Sequence, residues 1–247
     1  LSNDSWRLIN RIYHEFAGRR DAAITDWNRL QEQLNRLIID LMAFSGLVAE
    51  SMTRTLGWRF LDLGRRLERS LHTIMLVRNL LLPLEDREAP VLDAVLEVAD
   101  CSITYRVRYL NNLQLAAVLD LLITDETNPR SLASQLVQLG EHVDNLPRDS
   151  NLPLIGEEQR MCLSALTSVR MLTAEKLSRM HVPDERKAFD RMLGRIAGQL
   201  PKLSDVISSK YLIHAGLTQQ LTEFRKDQRA VESKTGLIYP ASRDHLQ

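Results

Sequence analysis

Glycine is scarce in this chain, at 10 of 247 residues, and aromatic residues make up 5%. What remains is rich in Leu, Arg, Glu and Gln, a mixture that suits helices better than strands and tight turns. Two cysteines, Cys101 and Cys162, are too few for a disulfide scaffold, so a reduced, cytoplasmic protein is the simpler expectation. No uninterrupted apolar run approaches the roughly 20 residues needed to span a bilayer, and no signal peptide is visible. Lys plus Arg equals Asp plus Glu at 32 each, so no overall field draws the chain to nucleic acid or to a membrane surface. The chain opens on Leu1, not Met, and is read as excised from something longer.

Helical periodicity runs through most of what is present. In "SNDSWRLINRIYHEF", capping residues precede apolar positions at Trp6, Ile9, Ile12, Tyr13 and Phe16, before Gly18 ends the pattern. A second helix is expected from Thr25 or Asp26, with Leu30, Leu34, Leu37, Leu41, Phe44 and Val48 on one face and Gly57 as its break. A third runs to about Leu82, stopped by Pro83, and a fourth from near Pro90 to about Ile123, a span of about 50 Å at about 1.5 Å per residue. Asn128 is expected to cap the next helix, with Pro129 at its first position, and "RDSNLPLIG" reads as a surface loop. Further helices are expected over 157–180, 184–200 and 201–225, with Gly198 and Pro201 marking a junction or kink. The expectation is an all-α bundle of seven or eight long antiparallel helices over residues 1–225, followed by a polar tail over 226–247.

The stretch "GWRFLDLGRRLERS", residues 57–70, holds four arginines and a single glutamate, Glu68. Phe60, Leu63, Leu67, Leu71 and Ile74 share an arc, and Glu68 falls on its border. A half-buried carboxylate there needs a donor. In the fourth helix Arg106 falls within the apolar arc of Val95, Ala99, Ser102, Tyr109 and Leu113, and a guanidinium in that position must either snorkel to water or be paired. Glu68 with Arg106 is the expected pair, and the candidate pocket is Glu68, Arg69, Arg65, Tyr105 and Arg106. A second candidate is the helix start in "NPRSL", where Asn128, Arg130 and Ser131 could hold a carboxylate or phosphate, against the plainer reading of an ordinary cap.

Other chemistry finds little support. Glu68 and His72 are spaced i, i+4, but six scattered histidines and no cysteine pair at zinc spacing give no metal site. A Gly-rich phosphate loop is missing, so no ATP or other cofactor is expected on this chain. Cys101 and Cys162 read as small core residues, and no Ser-His-Asp or Cys-His set can be argued from spacing.

Taken together, "LSNDSWRLINR", "MAFSGLVAESMTRTLGWRFLDLGRRLER", "EVADCSITYRVRYL", "NPRSLASQL" and "LSDVISSKYLIHA" resemble the Alpha-E domain family (DUF403), an all-helical domain named for a Glu-Arg motif. The resemblance covers about residues 1–220 and places Glu68 and Arg69 on the family's internal Glu-Arg pair. An earlier family segment with its own Glu-Arg stretch has no counterpart here, so the domain reads as truncated at its N terminus. The resemblance implies partnership with a circularly permuted ATP-grasp amidoligase, fused or separate, with transglutaminase-like proteins, and with a peptide or amino-acid substrate. Three roles follow as expectations: a partner or substrate-binding domain of the ligase, a stand-alone enzyme using Glu68 beside arginines that hold a carboxylate, or a structural, oligomerising bundle.

Overall fold

The computed structural model describes residues 2–17, 27–83, 88–110, 112–147 and 155–213. The expected end of the first helix at Gly18, most of the loop at 148–156, the end of the last helix and the tail over 226–247 lie outside the described residues. Among the described residues the fold is all α, with ten α-helices, three π-helical turns and no strand.

The described residues divide after Leu63 into two compact units. The first holds α1 (Asn3–Ala17), α2 (Trp27–Ser51) and the start of α3 (Leu56–Leu76). Helix α1 packs on α2, where Arg11 Nε donates to Asp40 Oδ2 at 2.9 Å and a second guanidinium nitrogen meets Oδ1. Asp40 is 7% exposed, so this two-pronged bond satisfies a buried polar side chain that water barely reaches. Gly57 is not the break expected of it. Helix α2 ends at Ser51, the chain turns over Met52–Thr55, and Gly57 lies inside α3.

In the second unit α3 runs into a π-helical turn, Val77–Leu81, that stops before Pro83 as expected. The expected 50 Å helix over 90–123 does not form. It is three helices, α4 (Glu88–Val98), α5 (Ser102–Tyr109) and α6 (Leu115–Leu119), followed by a π-helical turn, Asp120–Thr124. The first break is a Schellman cap. The Cys101 N–H donates to Leu96 O at 2.8 Å and the Asp100 N–H to Glu97 O at 3.0 Å, with Asp100 at φ 55°. Glycine usually fills that left-handed position, but aspartate tolerates it. Buried Leu96 and Cys101 supply the apolar contact that accompanies the motif. The second break follows Leu110, also at positive φ (62°).

Helix α7 (Leu132–Asp144) packs against α8 (Glu157–Arg170), and α8 against α10 (Pro183–Ser208). Between them α9 (Ala174–Ser178), capped by Thr173, packs on α6. The expected junction at Gly198 and Pro201 is absent: α10 continues through both and ends in a π-helical turn, Ser209–Ile213. Pro201 sits on the exposed side, while Leu200 and Leu203 beside it are buried, and that burial holds the helix across the missing N–H. Leu121, Leu122 and Ile123 are all fully buried, as are Leu132, Leu136 and Leu139 of α7, and each contributes about 1.5–3 kcal/mol of transfer free energy.

Candidate binding clefts

The segment that leads into α7 is held by side-chain bonds as well as by the backbone bonds of its turns. Asp125 Oδ1 accepts from the Thr127 N–H at 2.9 Å, and Arg108 bonds both Asp125 and Thr127 Oγ1. Asn128 Nδ2 donates to Leu121 O at 2.8 Å, and Asn128 Oδ1 accepts from the Arg130 N–H at 3.1 Å. The N-cap of α7 is Ser131, whose Oγ accepts from the Ser134 N–H at 3.0 Å. Asn128 is therefore a buried staple and not the expected cap, because Pro129 and Arg130 still belong to the turn. Of the three residues proposed for an anion at this helix start, Asn128 and Ser131 are committed to internal bonds, and Arg130 reaches elsewhere.

Arg130 Nη2 donates to Asp100 Oδ2 at 2.7 Å, beside a cleft of about 570 Å³. Helix α3 supplies Arg69, His72, Thr73 and Leu76 to it, at the i, i+3, i+4, i+7 spacing of one helix face. Val98 and Ala99, at the end of α4, form the opposite side, which exists because the Schellman cap ends α4 there. Thr73 Oγ1 stands 3.5 Å from Arg130 O, so the α3 face and the α7 approach are joined. The cleft thus combines two guanidiniums, an imidazole and an apolar wall.

A second cleft, of about 490 Å³, lies between α4 and α5. Tyr105 and Arg106 line it, as expected of a site, together with Asp93 and Leu96. The Tyr105 hydroxyl is already engaged, donating to Asn112 O at 2.9 Å and accepting from the Gln114 N–H at 3.1 Å. Arg106 stands 3.9 Å from Asp93, with its side chain 64% exposed.

The expected Glu68–Arg106 pair is not formed. Glu68 is exposed and makes no hydrogen bond or ion pair with a described residue. The apolar arc assigned to Arg106 assumed one continuous helix; in the separate α5 it is Tyr105 that turns inward, while Ile103 and Val107 are 79% and 77% exposed. The five residues of the expected pocket are therefore divided: Arg69 lines one cleft, Tyr105 and Arg106 the other, and Glu68 and Arg65 neither. Asp100 and Val98 were missed as site residues, because their relevance depends on a helix end that no glycine or proline marks, and His72 was weighed only as a metal ligand beside Glu68.

Four further reactive groups, Cys101, Cys162, Tyr109 and Glu158, are shaped by burial or by a bonded partner. Burial pushes the Cys162 thiol up to about 12, and burial likewise raises Cys101 despite the Asn128 amide beside it. Burial, with a bond to Asp120, raises the Tyr109 phenol. Burial opposes ionisation of Glu158, yet Lys210, 2.6 Å away, brings its pKa below the ordinary carboxylate value. Among the described residues no group of three or more His, Cys, Asp or Glu could hold a metal ion, and no helix is long and apolar enough to cross a membrane.

An all-helical domain with a Glu-Arg step, Glu68 and Arg69, on α3 is the class these observations define. The chain belongs to the Alpha-E family, whose model, described as a predicted alpha-helical domain with a conserved ER motif, matches residues 1–212. It is 29% identical over 237 residues to uncharacterised proteins of Mycobacterium bovis and Mycobacterium tuberculosis. That alignment covers 94% of this chain and 26% of each relative, so the chain spans about a quarter of the length of the curated relatives it matches. No solved structure matches it.

Proposed function

We propose that this Alpha-E domain is a helical partner or substrate-binding domain of an ATP-grasp amidoligase system that ligates or modifies peptides, and that it is not catalytic alone. The observation that carries the reading is the cleft with Arg69 and Arg130, whose two guanidiniums suit the carboxylate that such a ligase activates. The relatives, in which an equivalent stretch is about a quarter of a longer chain, are compatible with a module that works beside other domains. The two buried thiols, both held protonated, offer no activated nucleophile. Glu68 is exposed and has no described partner that would orient it toward a substrate.

The test is reconstitution with a circularly permuted ATP-grasp protein encoded beside an Alpha-E protein or fused to one. The two should co-elute on size exclusion, and ATP-dependent amide formation should need the ligase. Amide formation by this domain alone would favour the stand-alone enzyme, and separate elution with unchanged ligase activity would leave a structural bundle.

A further inference from the structure

The cleft between α3, the end of α4 and the approach to α7 has a polar end and an apolar side, and the two ask for different parts of one ligand. Arg69 and Arg130 provide the planar, always-charged forks that hold a carboxylate by paired hydrogen bonds. Beside them Met75, Leu80 and Val98 line the same cleft with 54%, 43% and 71% of their surface in water. Inorganic phosphate would use the guanidiniums and leave this apolar wall wet. A ligand with an apolar side chain next to its carboxylate would use both, and a volume of about 570 Å³ has room for one amino-acid residue and the start of a second.

We propose that this cleft binds the carboxylate of an apolar residue, as at the C terminus of a peptide, with Arg69 and Arg130 on the carboxylate and Val98, Met75 and Leu80 against the side chain. The proposal rests on the substrate-binding reading above and names its ligand class. Asp100 is an internal competitor for Arg130, which it occupies at 2.7 Å, but its own side chain is 73% exposed. An exposed pair of this kind is held weakly, so an incoming carboxylate displaces it at small cost. Arg69 likewise has an interaction within the protein that a ligand must share or displace.

The experiment is two-dimensional NMR titration of the chain with N-acetyl-leucine, N-acetyl-leucinamide, acetate and inorganic phosphate. N-acetyl-leucine should shift His72, Asn79 and Val98 saturably in the millimolar range, the amide should not, and acetate and phosphate should bind at least about tenfold more weakly. Arg69→Gln and Arg130→Gln should each weaken N-acetyl-leucine by about tenfold or more. Because Arg130 also holds Asp100, two further variants keep the test independent of folding. Val98→Ser, at an exposed position, should weaken binding several-fold. Asp100→Asn, which still tolerates the left-handed backbone, should tighten it by roughly threefold, a direction that damage to the fold would not produce. Equal binding of the amide, equal binding of acetate or phosphate, no change in Asp100→Asn, or no saturable shift would each overturn the proposal. Co-elution with the ligase is read separately, so loss of the ligand and loss of the partner are distinguishable.

Discussion

Helices α2 and α7 are both rich in aliphatic residues, yet they are used very differently. Of the 25 residues of α2 two are buried, Asp40 and Val48, whereas seven of the 13 in α7 are. Trp27, Ile38, Ile39 and Met42 of α2 stand more than half in water, while Leu132, Leu136 and Leu139 of α7 are sealed. Each helix is described within its own unit, and within those units α2 has α1 as its neighbour whereas α7 has α8 and the π-helical turn before it. Apolar composition alone therefore does not set stability; the number of faces that meet a packed neighbour does.

Truncation in the two helices gives the largest expected contrast. Leu136→Ala should cost about 2–5 kcal/mol in urea unfolding, whereas Ile39→Ala should stay within roughly 0.5 kcal/mol. Equal losses would mean that α2 is buried in solution.

The ion pairs sharpen the same comparison at smaller scale. Glu158, 4% exposed at the start of α8, is bonded by Lys210 and by the Tyr211 hydroxyl. Glu158→Gln should cost roughly 1–3 kcal/mol at neutral pH, the upper end discounted because Lys210 is partly in water. Its folded pKa lies below the unfolded value of about 4.3, so the contribution is complete above that value and disappears as the pH falls through the folded pKa. The stability gap between wild type and variant should accordingly close in acid, as urea midpoints measured from pH 7 to pH 3 would read. A gap independent of pH would show that packing, not charge, is lost. In the first unit Arg11→Ala removes the partner of buried Asp40 and should cost about 1–2 kcal/mol, with faster amide exchange in α1 than in α7.

Glu68 gives the smallest expected effect. Glu68→Gln should change stability by less than about 0.5 kcal/mol, and its double-mutant cycle with Arg106→Met should give a coupling near zero. A clear coupling would restore the pair expected from the sequence.

That pair shows where sequence reasoning stops. The start of α1, the end of α2 and both ends of α3 were legible within a few residues, because their apolar positions recur at helical spacing and Pro83 punctuates the last. The breaks at Asp100 and Leu110 were not, since neither residue advertises a left-handed backbone as glycine would. Every side-chain direction inferred across 90–123 inherited that error, and Arg106 was aimed at a core it does not face. Arg69 and Arg130 were each legible as candidates, one from a helix face and one from a turn. Their shared cleft was not, because it depends on where α4 ends and on the bonds of Asn128, which no periodicity encodes.

The most direct measurement of the account is ATP-dependent amide formation by the partner ligase at limiting carboxylate substrate, with and without this domain. The domain should raise kcat/KM, and Arg69→Gln/Arg130→Gln should abolish that gain while still co-eluting with the ligase. An unchanged kcat/KM with the wild-type domain present, or a gain that survives loss of both arginines, would contradict it.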